Sequence, residues 1–167
     1  MIDKIYLDMD GVLCDFEKRY TELYNEAPNS SRDKKNWSKN WTDFVMSKQF
    51  ETLDIFPGAI ELLRYVRRTE LPIEILTSSG GVKYHDLVAE QKGVWLKKQG
   101  LAYKRNVVPG RSLKAVYATP NTILIDDTED VIVAFNKAGG IGILHKDIGK
   151  TLQTLDSVLA KQLNNVI

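Results

Sequence analysis

The sequence predicts an α/β protein in which a parallel sheet is flanked by helices. Short apolar runs of strand length alternate with longer segments whose apolar residues recur at helical spacing. Several of the apolar runs end in polar or acidic turns, and parallel strands bring such turns to one edge of the sheet. The chain has 167 residues, 43% of them hydrophobic, which suffices for one main core with a small insertion.

Each element follows from a local pattern. The predicted strands cover residues 2–7, 73–76, 106–108, 122–125 and 140–144. The first predicted helix starts at Phe16 and ends near Pro28, and further helices are predicted around 60–66, over 85–99 and around 131–135. A closing amphipathic helix presents the apolar stripe Ile148, Leu152, Leu155, Leu159 and Leu163.

Residues 16–56 are predicted to form a small helical insertion, whereas residues 1–15 and 57–167 form the main domain. The composition changes to Asn, Ser, Lys, Arg and Asp between residues 29 and 40, with Trp37 and Trp41 set among them. Short helices that carry Phe44 and Phe50 follow. The turn residues Pro57 and Gly58 then end the insertion.

Charge and cysteine content limit the classes of function. The net charge is +1 and the basic residues are dispersed, so the overall charge gives no reason to expect nucleic acid or a membrane as partner. Cys14 is the single cysteine, so no internal disulfide is possible, and we expect a packed rather than a reactive thiol. The N-terminus lacks a signal-peptide pattern and no apolar run could span a bilayer. We therefore expect a cytoplasmic protein.

The polar turns at the predicted strand ends contain the groups that phosphoryl transfer needs. Asp8 and Asp10 share one face of the first strand, and two carboxylates this close repel each other unless a cation relieves them. The other turns supply hydroxyl groups, a lysine and a second acidic pair, at Thr77, Ser78, Lys114, Asp126 and Asp127. Together they provide a nucleophile, an acid or base, hydrogen-bond donors for a phosphate group, a cation and metal ligands.

These residues resemble the four motifs of the haloacid dehalogenase (HAD) superfamily of phosphotransferases, in the same order along the chain. The motifs are Asp8-Met9-Asp10-Gly11-Val12, then Thr77-Ser78, then Lys114, then Asp126-Asp127. The 5'(3')-deoxyribonucleotidase branch is similar in Asp15-Phe16-Glu17, in Phe56-Pro57-Gly58-Ala59 and in Leu124-Ile125-Asp126-Asp127. The resemblance implies a Rossmann-like sheet of the HAD type, with residues 16–56 as a helical cap.

The resemblance also implies roles for individual residues. Asp8 would be the nucleophile that forms an aspartyl phosphate, and Asp10 the acid and then the base. Mg²⁺ would be bound by Asp8, by the main-chain carbonyl of Asp10 and by Asp126, with Asp127 bound directly or through water. Lys114 would offset negative charge. The phosphoryl oxygens would be held by Thr77, Ser78 and Ser79 with the amide groups around Gly80.

The implied substrate is a small phosphomonoester, and the aromatic residues of the insertion favour a nucleoside monophosphate. Phe16, Trp37 and Trp41 are the predicted contacts to the base, with Phe44 and Phe50 nearby; the alternative is that these rings fill the core of the cap. Two features differ from the branch: the cap is short, and Ser79-Gly80-Gly81 stands where the branch tends to have proline. The sequence leaves the base, the sugar, the 5' or 3' preference and the oligomeric state open.

Other functions stay open at this point. A polynucleotide 3'-phosphatase would use the same chemistry, with Lys34, Lys35 and Lys39 along a nucleic acid strand, and another small-molecule phosphatase of the same superfamily is a further alternative. A phosphoaspartate receiver module is disfavoured because the third strand ends in Pro109-Gly110 and offers no acceptor Asp.

Further polar residues near the motifs have less certain roles. We expect His85 and His145 to be structural. Asp130 favours the start of its helix, or contacts the metal. Asp15 orients its loop or contacts substrate.

Overall fold

A computed structural model describes residues 1–28 and 34–164, and its centre is a parallel sheet of five strands. The strands are β1 (Lys4–Leu7), β2 (Ile73–Ser78), β3 (Lys104–Val108), β4 (Thr122–Asp126) and β5 (Ile141–Leu144). Their order across the sheet is β3-β2-β1-β4-β5, and every neighbouring pair is parallel. The predicted α/β class and its strands are confirmed.

Six α-helices connect or cover the strands in the described part of the chain: α1 (Phe16–Tyr24), α2 (Lys34–Met46), α3 (Ala59–Arg68), α4 (His85–Lys98), α5 (Glu129–Lys137) and α6 (Ile148–Asn164). Short 3₁₀-helices cover Gln49–Thr52 and Arg111–Tyr117. No described helix combines the length and the apolar content needed to cross a membrane.

The end of α1 differs from the prediction. The helix ends at Tyr24 instead of near Pro28, because Asn25 adopts a left-handed conformation with φ of 60° and caps the last turn. At the other end, the side chain of Asp15 accepts a hydrogen bond from the backbone N–H of Lys18. Asp15 is thus the N-cap of α1, which is one of the two roles expected for it.

The strand order places the first and fourth strand ends side by side. From β1 the chain proceeds outward through β2 to β3, then crosses to β4 and β5 on the opposite side of β1. The loops after β1 and β4 therefore leave the sheet in opposite directions, and a crevice opens between them. The backbone N–H of Asp8 donates to the carbonyl of Ile125 at 3.0 Å, which fixes the two loops against each other.

Alternating side chains of the central strands build two hydrophobic cores. On one face Ile5, Leu7 and Ile125 pack with residues of α3, α4 and α6. On the other face Tyr6 and Leu124 pack against α5. The closing helix covers the sheet as predicted, through Ile148, Leu152, Leu155 and Leu159; the side chain of Leu163 lies outside the described part.

The insertion shares the larger core with the sheet. Tyr20, Phe44 and Phe50 are buried in the same hydrophobic cluster as the residues of β1. Two side chains of α4 hold its backbone: Gln91 donates to the carbonyl of Val45 at 2.8 Å, and the indole of Trp95 to the carbonyl of Leu53 at 2.7 Å. Residues 29–33 of the predicted cap lie outside the described residues. The division into two domains stays a prediction.

Candidate active site

A cleft of about 1010 Å³ opens at the carboxyl ends of the strands. One wall consists of the loops after β1, β2 and β4, which contribute Asp8, Asp10, Ser78 and Asp127. The opposite wall consists of α1 and α2 of the insertion. Its position at the crevice between β1 and β4 is the usual binding place in open parallel sheets.

Asp8 and Asp126 share one buried cation. The ammonium group of Lys114 donates to Oδ1 of Asp8 at 2.9 Å and to Oδ2 of Asp126 at 2.6 Å. Burial lowers the pKa of Lys114, but the charges of Asp8 and Asp126 outweigh this effect, so that its pKa lies above its ordinary value. Lys114 is thus held as a cation below the cleft.

The surroundings of Asp8 disfavour the charged form of its carboxyl group. Its side chain is 7% exposed, and burial, followed by repulsion from Asp126, raises the pKa of Asp8 well above its ordinary value despite the attraction of Lys114. Burial and the charge of Asp126 also raise the pKa of Asp127. These carboxyl groups carry more negative charge than the neighbouring lysine compensates, so the site favours an additional cation.

A second buried lysine holds Asp10. The ammonium group of Lys92, on α4, donates to Oδ2 of Asp10 at 2.9 Å and to the hydroxyl of Thr77 at 2.7 Å. It also donates to the carbonyl of Ser78 at 2.8 Å. Lys92 therefore joins the strand ends of β1 and β2 from below.

Gly11 allows the two acidic loops to meet. It has a φ of 80°, and a Cβ atom placed on it would lie 2.1 Å from Oδ2 of Asp127. Only glycine permits both the backbone conformation and this approach. The hydroxyl of Thr128 donates to Oδ1 of Asp127 at 3.2 Å, and its backbone N–H donates to Oδ1 of Asp126 at 2.9 Å.

The donor set fits a magnesium ion. Asp8, Asp126 and Asp127 each offer a carboxylate oxygen, and these oxygens lie within 4.8 Å of one another. Hard carboxylate oxygens are the ligands that Mg²⁺ prefers. Burial and, after it, the charge of Asp126 raise the pKa values of Asp8 and Asp127, and a divalent cation would offset the second of these causes. Three of the four predicted metal residues, Asp8, Asp126 and Asp127, therefore lie close together, and a role for the main-chain carbonyl of Asp10 stays a prediction.

The loop after β2 differs from the predicted phosphate site. Ser78 lines the cleft, but Thr77 is fully buried and its hydroxyl binds Lys92. Ser79 is also buried: its hydroxyl contacts Nδ1 of His85 at 2.7 Å and donates to the carbonyl of Gly81 at 3.0 Å. Neither residue is among those that line the cleft in the described part of the chain. The contacts of Thr77 and Ser79 with a phosphate stay predictions.

The aromatic residues of the insertion divide into two groups. Phe16, Trp37 and Trp41 line the cleft, whereas Phe44 and Phe50 are buried. The rings of Trp37 and Trp41 are stacked at a centroid distance of 5.7 Å. Phe44 and Phe50 fill the core, as the alternative expectation has it, whereas contact of Phe16, Trp37 and Trp41 with a base stays a prediction.

Trp41 also touches the loop after β2. A Cβ atom on Gly80, whose φ is 78°, would lie 2.7 Å from the ring of Trp41. The insertion is linked to the same segment by Thr42, whose hydroxyl lies 3.0 Å from that of Tyr84. The insertion therefore rests directly on the loop that would receive a phosphate.

Polar residues at the cleft rim complete the site. Arg111, Lys146 and His145 line its core side, and Glu17 and Lys18 its insertion side. Lys34, Lys35 and Lys39 are not among the lining residues in the described ranges.

Other candidate residues have partners of their own. Asp130 forms an exposed ion pair with Arg111 at 2.8 Å, and Nδ1 of His145 lies 2.8 Å from the hydroxyl of Thr151. Cys14 is buried, and burial, followed by the charge of Asp10, raises its pKa well above the ordinary value.

The solved structures that this chain resembles have related folds. A hydrolase from Streptococcus pneumoniae TIGR4 matches with a TM-score of 0.55 at 18% identity, covering 93% of this chain and 98% of its own. A HAD-superfamily hydrolase from Ehrlichia chaffeensis matches with a TM-score of 0.55 at 13% identity, covering 95% and 99%. A putative β-phosphoglucomutase from Thermotoga maritima matches with a TM-score of 0.51 at 18% identity, covering 92% and 91%.

The fold is that of HAD-superfamily hydrolases. At these identities the similarity shows the fold alone. The chain matches no family model, and the comparison with curated proteins gave no significant match. The specific resemblance to deoxyribonucleotidases is not shown by these comparisons, so activity and substrate must be argued from the site.

Lys92 was not among the site residues predicted from the sequence. Its signal was present, because Val88, Lys92 and Trp95 fall at the spacing of one helix face and all three are buried. A lysine at an apolar position of a helix indicates a buried partner. Arg111 and Lys146 were also missed, and nothing in the local sequence distinguishes them from ordinary surface residues.

Proposed function

We propose that this chain is a phosphomonoester hydrolase that uses Mg²⁺ and an aspartyl phosphate intermediate, with (deoxy)ribonucleoside 5'-monophosphates as substrates. The observation that carries the proposal is the arrangement at the strand ends of β1 and β4. There Asp8 faces a cleft, lies within reach of Asp126 and Asp127, and accepts a hydrogen bond from Lys114.

Each of the strand-end residues is assigned one task. Lys114 binds Oδ1 of Asp8, so we assign nucleophilic attack to Oδ2, which has no hydrogen-bond partner in the described part of the chain. The ion would be held by Asp8, Asp126 and Asp127, with the main-chain carbonyl of Asp10. When bound, Mg²⁺ supplies positive charge that reduces the repulsion between carboxylate and phosphate.

The reaction proceeds in two displacements. In the first, Oδ2 of Asp8 forms a bond to phosphorus, the bond from phosphorus to the leaving oxygen breaks, and Asp10 gives its proton to that oxygen. In the second, Asp10 takes a proton from water, whose oxygen attacks phosphorus. The bond to Asp8 then breaks, which releases inorganic phosphate and restores the carboxylate.

The phosphoryl group is assigned to the surface between Ser78 and Lys114. Ser78 lines the cleft, whereas Thr77 and Ser79 are buried and are not among the described residues that line it. Lys114 uses two N–H groups on Asp8 and Asp126, which leaves the third for a phosphoryl oxygen. Of the hydroxyl groups predicted to contact phosphate, we therefore retain that of Ser78.

A nucleotide is the substrate that the opposite wall favours. Phe16, Trp37 and Trp41 offer ring surfaces within the cleft, and stacking of a base on an aromatic side chain contributes about 1 to 3 kcal/mol where it has been measured. The volume of about 1010 Å³ is at the upper end of the range for small-molecule sites, so base and sugar can be accommodated together.

Phosphate release tests the proposal directly. Ribo- and deoxyribonucleoside 5'- and 3'-monophosphates, sugar phosphates and a 3'-phosphorylated oligonucleotide would be assayed with Mg²⁺ and with EDTA. We expect Mg²⁺-dependent release that is fastest with 5'-mononucleotides. Asp8→Asn should abolish it, and Asp3→Asn, at an exposed position outside the cleft, should not.

The other outcomes separate chemistry from substrate. Turnover of sugar phosphates or of the oligonucleotide alone would retain the phosphatase and overturn the nucleotidase. No release from any ester would overturn both.

A further inference from the structure

We propose that Lys92 is a positioning residue that orients Asp10 and leaves Oδ1 as the oxygen that carries the proton; this inference rests on the proposed phosphatase function. Lys92 belongs to α4, far in sequence from the motif residues it touches. It contacts Asp10 itself and also two groups of the neighbouring strand end.

Lys92 has no hydrogen-bonding capacity left for a substrate. A lysine ammonium group has three N–H donors. In Lys92 they meet Oδ2 of Asp10, the hydroxyl of Thr77 and the carbonyl of Ser78, at 2.9, 2.7 and 2.8 Å. The side chain is 1% exposed and does not line the cleft. Lys92 therefore acts on another protein group and not on the phosphate.

Lys114 provides the contrast within the same site. Its ammonium group also lies below the strand ends, but it makes two hydrogen bonds and lines the cleft. One lysine thus retains a donor toward the reacting group, whereas the other is fully engaged. The difference separates a residue that contacts substrate from one that holds a catalytic carboxyl group.

The two carboxyl oxygens of Asp10 have different partners. Lys92 binds Oδ2, whereas Oδ1 accepts, from the described part of the chain, only the long contact of 3.4 Å from the thiol of Cys14. Thiols are weak donors, so Oδ1 is the oxygen that can carry a proton. A protonated carboxyl group still has an acceptor at Oδ2, so the bond to Lys92 persists in both states of Asp10. The proton on Oδ1 can then pass to the leaving oxygen while the group keeps its orientation.

Lys92 is enclosed by side chains that are themselves held in place. The neighbouring residues Gln91 and Trp95 bind the backbone of the insertion. The ring of Phe50 lies 5.2 Å from the ammonium nitrogen of Lys92, close enough for a cation–π interaction. The lysine is thus enclosed by the insertion, by α4 and by two strand ends. This frame fixes the position of the ammonium group and therefore that of Oδ2.

The test uses the leaving group. Departure of an alkyl alcohol requires a proton from Asp10, whereas p-nitrophenolate departs without one. Lys92→Met keeps the length and the apolar stem of the side chain. We expect kcat/KM for a nucleoside monophosphate to fall ~100-fold, the usual contribution of a positioned acid, and that for p-nitrophenyl phosphate to fall less than ~5-fold. Lys97→Met, at an exposed position of the same helix, should change neither.

A second pair of variants guards against loss of folding in Lys92→Met. Thr77→Val removes one acceptor of Lys92 at nearly unchanged volume, and Thr77→Ser retains it. We expect Thr77→Val to lower the alkyl-to-aryl ratio of kcat/KM several-fold and Thr77→Ser to restore it. Thermal unfolding of each variant shows whether it is folded.

The outcomes distinguish this inference from the function on which it rests. Wild-type protein without phosphatase activity would overturn the proposed function and the inference with it. Active wild-type protein whose Lys92→Met and Thr77→Val variants lose alkyl and aryl ester hydrolysis equally, or lose neither, would overturn the positioning role alone.

Discussion

The two walls of the cleft are stabilised in different ways. On the sheet side, Asp8 and Asp126 are buried and are held by a hydrogen-bonded lysine. On the insertion side, aromatic rings pack on one another. The ring centroid of Phe16 lies 5.0 Å from that of Phe44 and 5.7 Å from that of Phe50. The first wall depends on charge balance and the second on apolar contact.

This difference separates chemistry from selection. A buried carboxyl–lysine network tolerates few substitutions, because removal of one partner leaves the other charge without compensation. Aromatic contacts on the cleft side can change without exposing a buried charge. We therefore infer that the sheet wall determines the reaction, whereas Trp37 and Trp41 influence which ester is accepted.

The largest expected effect comes from the sheet wall. Asp8→Asn removes the proposed nucleophile, and kcat for the best substrate should fall on the order of 10³-fold or more. The protein should still fold, because Asn fills the same volume and reduces the surplus of negative charge. Residual activity within tenfold of wild type, in a folded variant, would show that Asp8 is not the nucleophile.

Gly11→Ala tests the contact between the two acidic loops. We expect a loss of unfolding free energy of about 1 to 3 kcal/mol from the strained backbone alone, and a further loss because Asp127 must move. Urea unfolding would measure both. Gly100→Ala is the matched control, since Gly100 has a φ of 69° but nothing within 4 Å of its Cβ position. Equal losses in the two variants would show that the approach of Asp127 to Gly11 contributes nothing.

The pH dependence of stability tests the charge surplus on Asp8. Burial and the charge of Asp126 raise its pKa in the folded state, so the metal-free folded protein keeps a proton that the unfolded chain has already lost. Wild-type stability should therefore decrease as the pH rises above the unfolded value of about 4, by up to ~1.4 kcal/mol per pH unit.

Asp8→Asn provides the reference for this pH effect. Urea unfolding in EDTA at several pH values should give a difference between the two proteins that grows with pH, and addition of Mg²⁺ should reduce it. Parallel stability curves would contradict the raised pKa.

The smallest expected effect lies on the aromatic wall. Trp37→Ala removes a ring that lines the cleft, and KM for a nucleoside monophosphate should rise ~10-fold, which corresponds to ~1.4 kcal/mol of lost stacking. The same variant should hydrolyse p-nitrophenyl phosphate with nearly unchanged kcat. Trp41→Ala should affect both esters, because Trp41 also rests on Gly80. Equal KM values for wild type and Trp37→Ala would exclude a base contact at this ring.

Much of the fold was accessible from the sequence, because its signals are local. Apolar runs and helical periodicity identified the strands and the covering helices, and the closing stripe at Leu152 and Leu155 packs as predicted. The end of α1 was wrong by a few residues, since Asn25 stops the helix through a backbone conformation that periodicity does not reveal. Asp8, Asp126 and Asp127 lie close together, as expected for residues at the ends of parallel strands.

By itself, then, the sequence determined the sheet, its acidic edge and the residue types that phosphoryl transfer requires. These follow from the alternation of side chains along strands and from the meeting of parallel strand ends. Tertiary structure alone decided that Ser78 lines the cleft whereas Thr77 is buried beside Lys92. It also placed Lys92 of α4 within hydrogen-bond distance of Asp10. Hydrogen bonds between distant segments direct these side chains, and no local pattern contains that information.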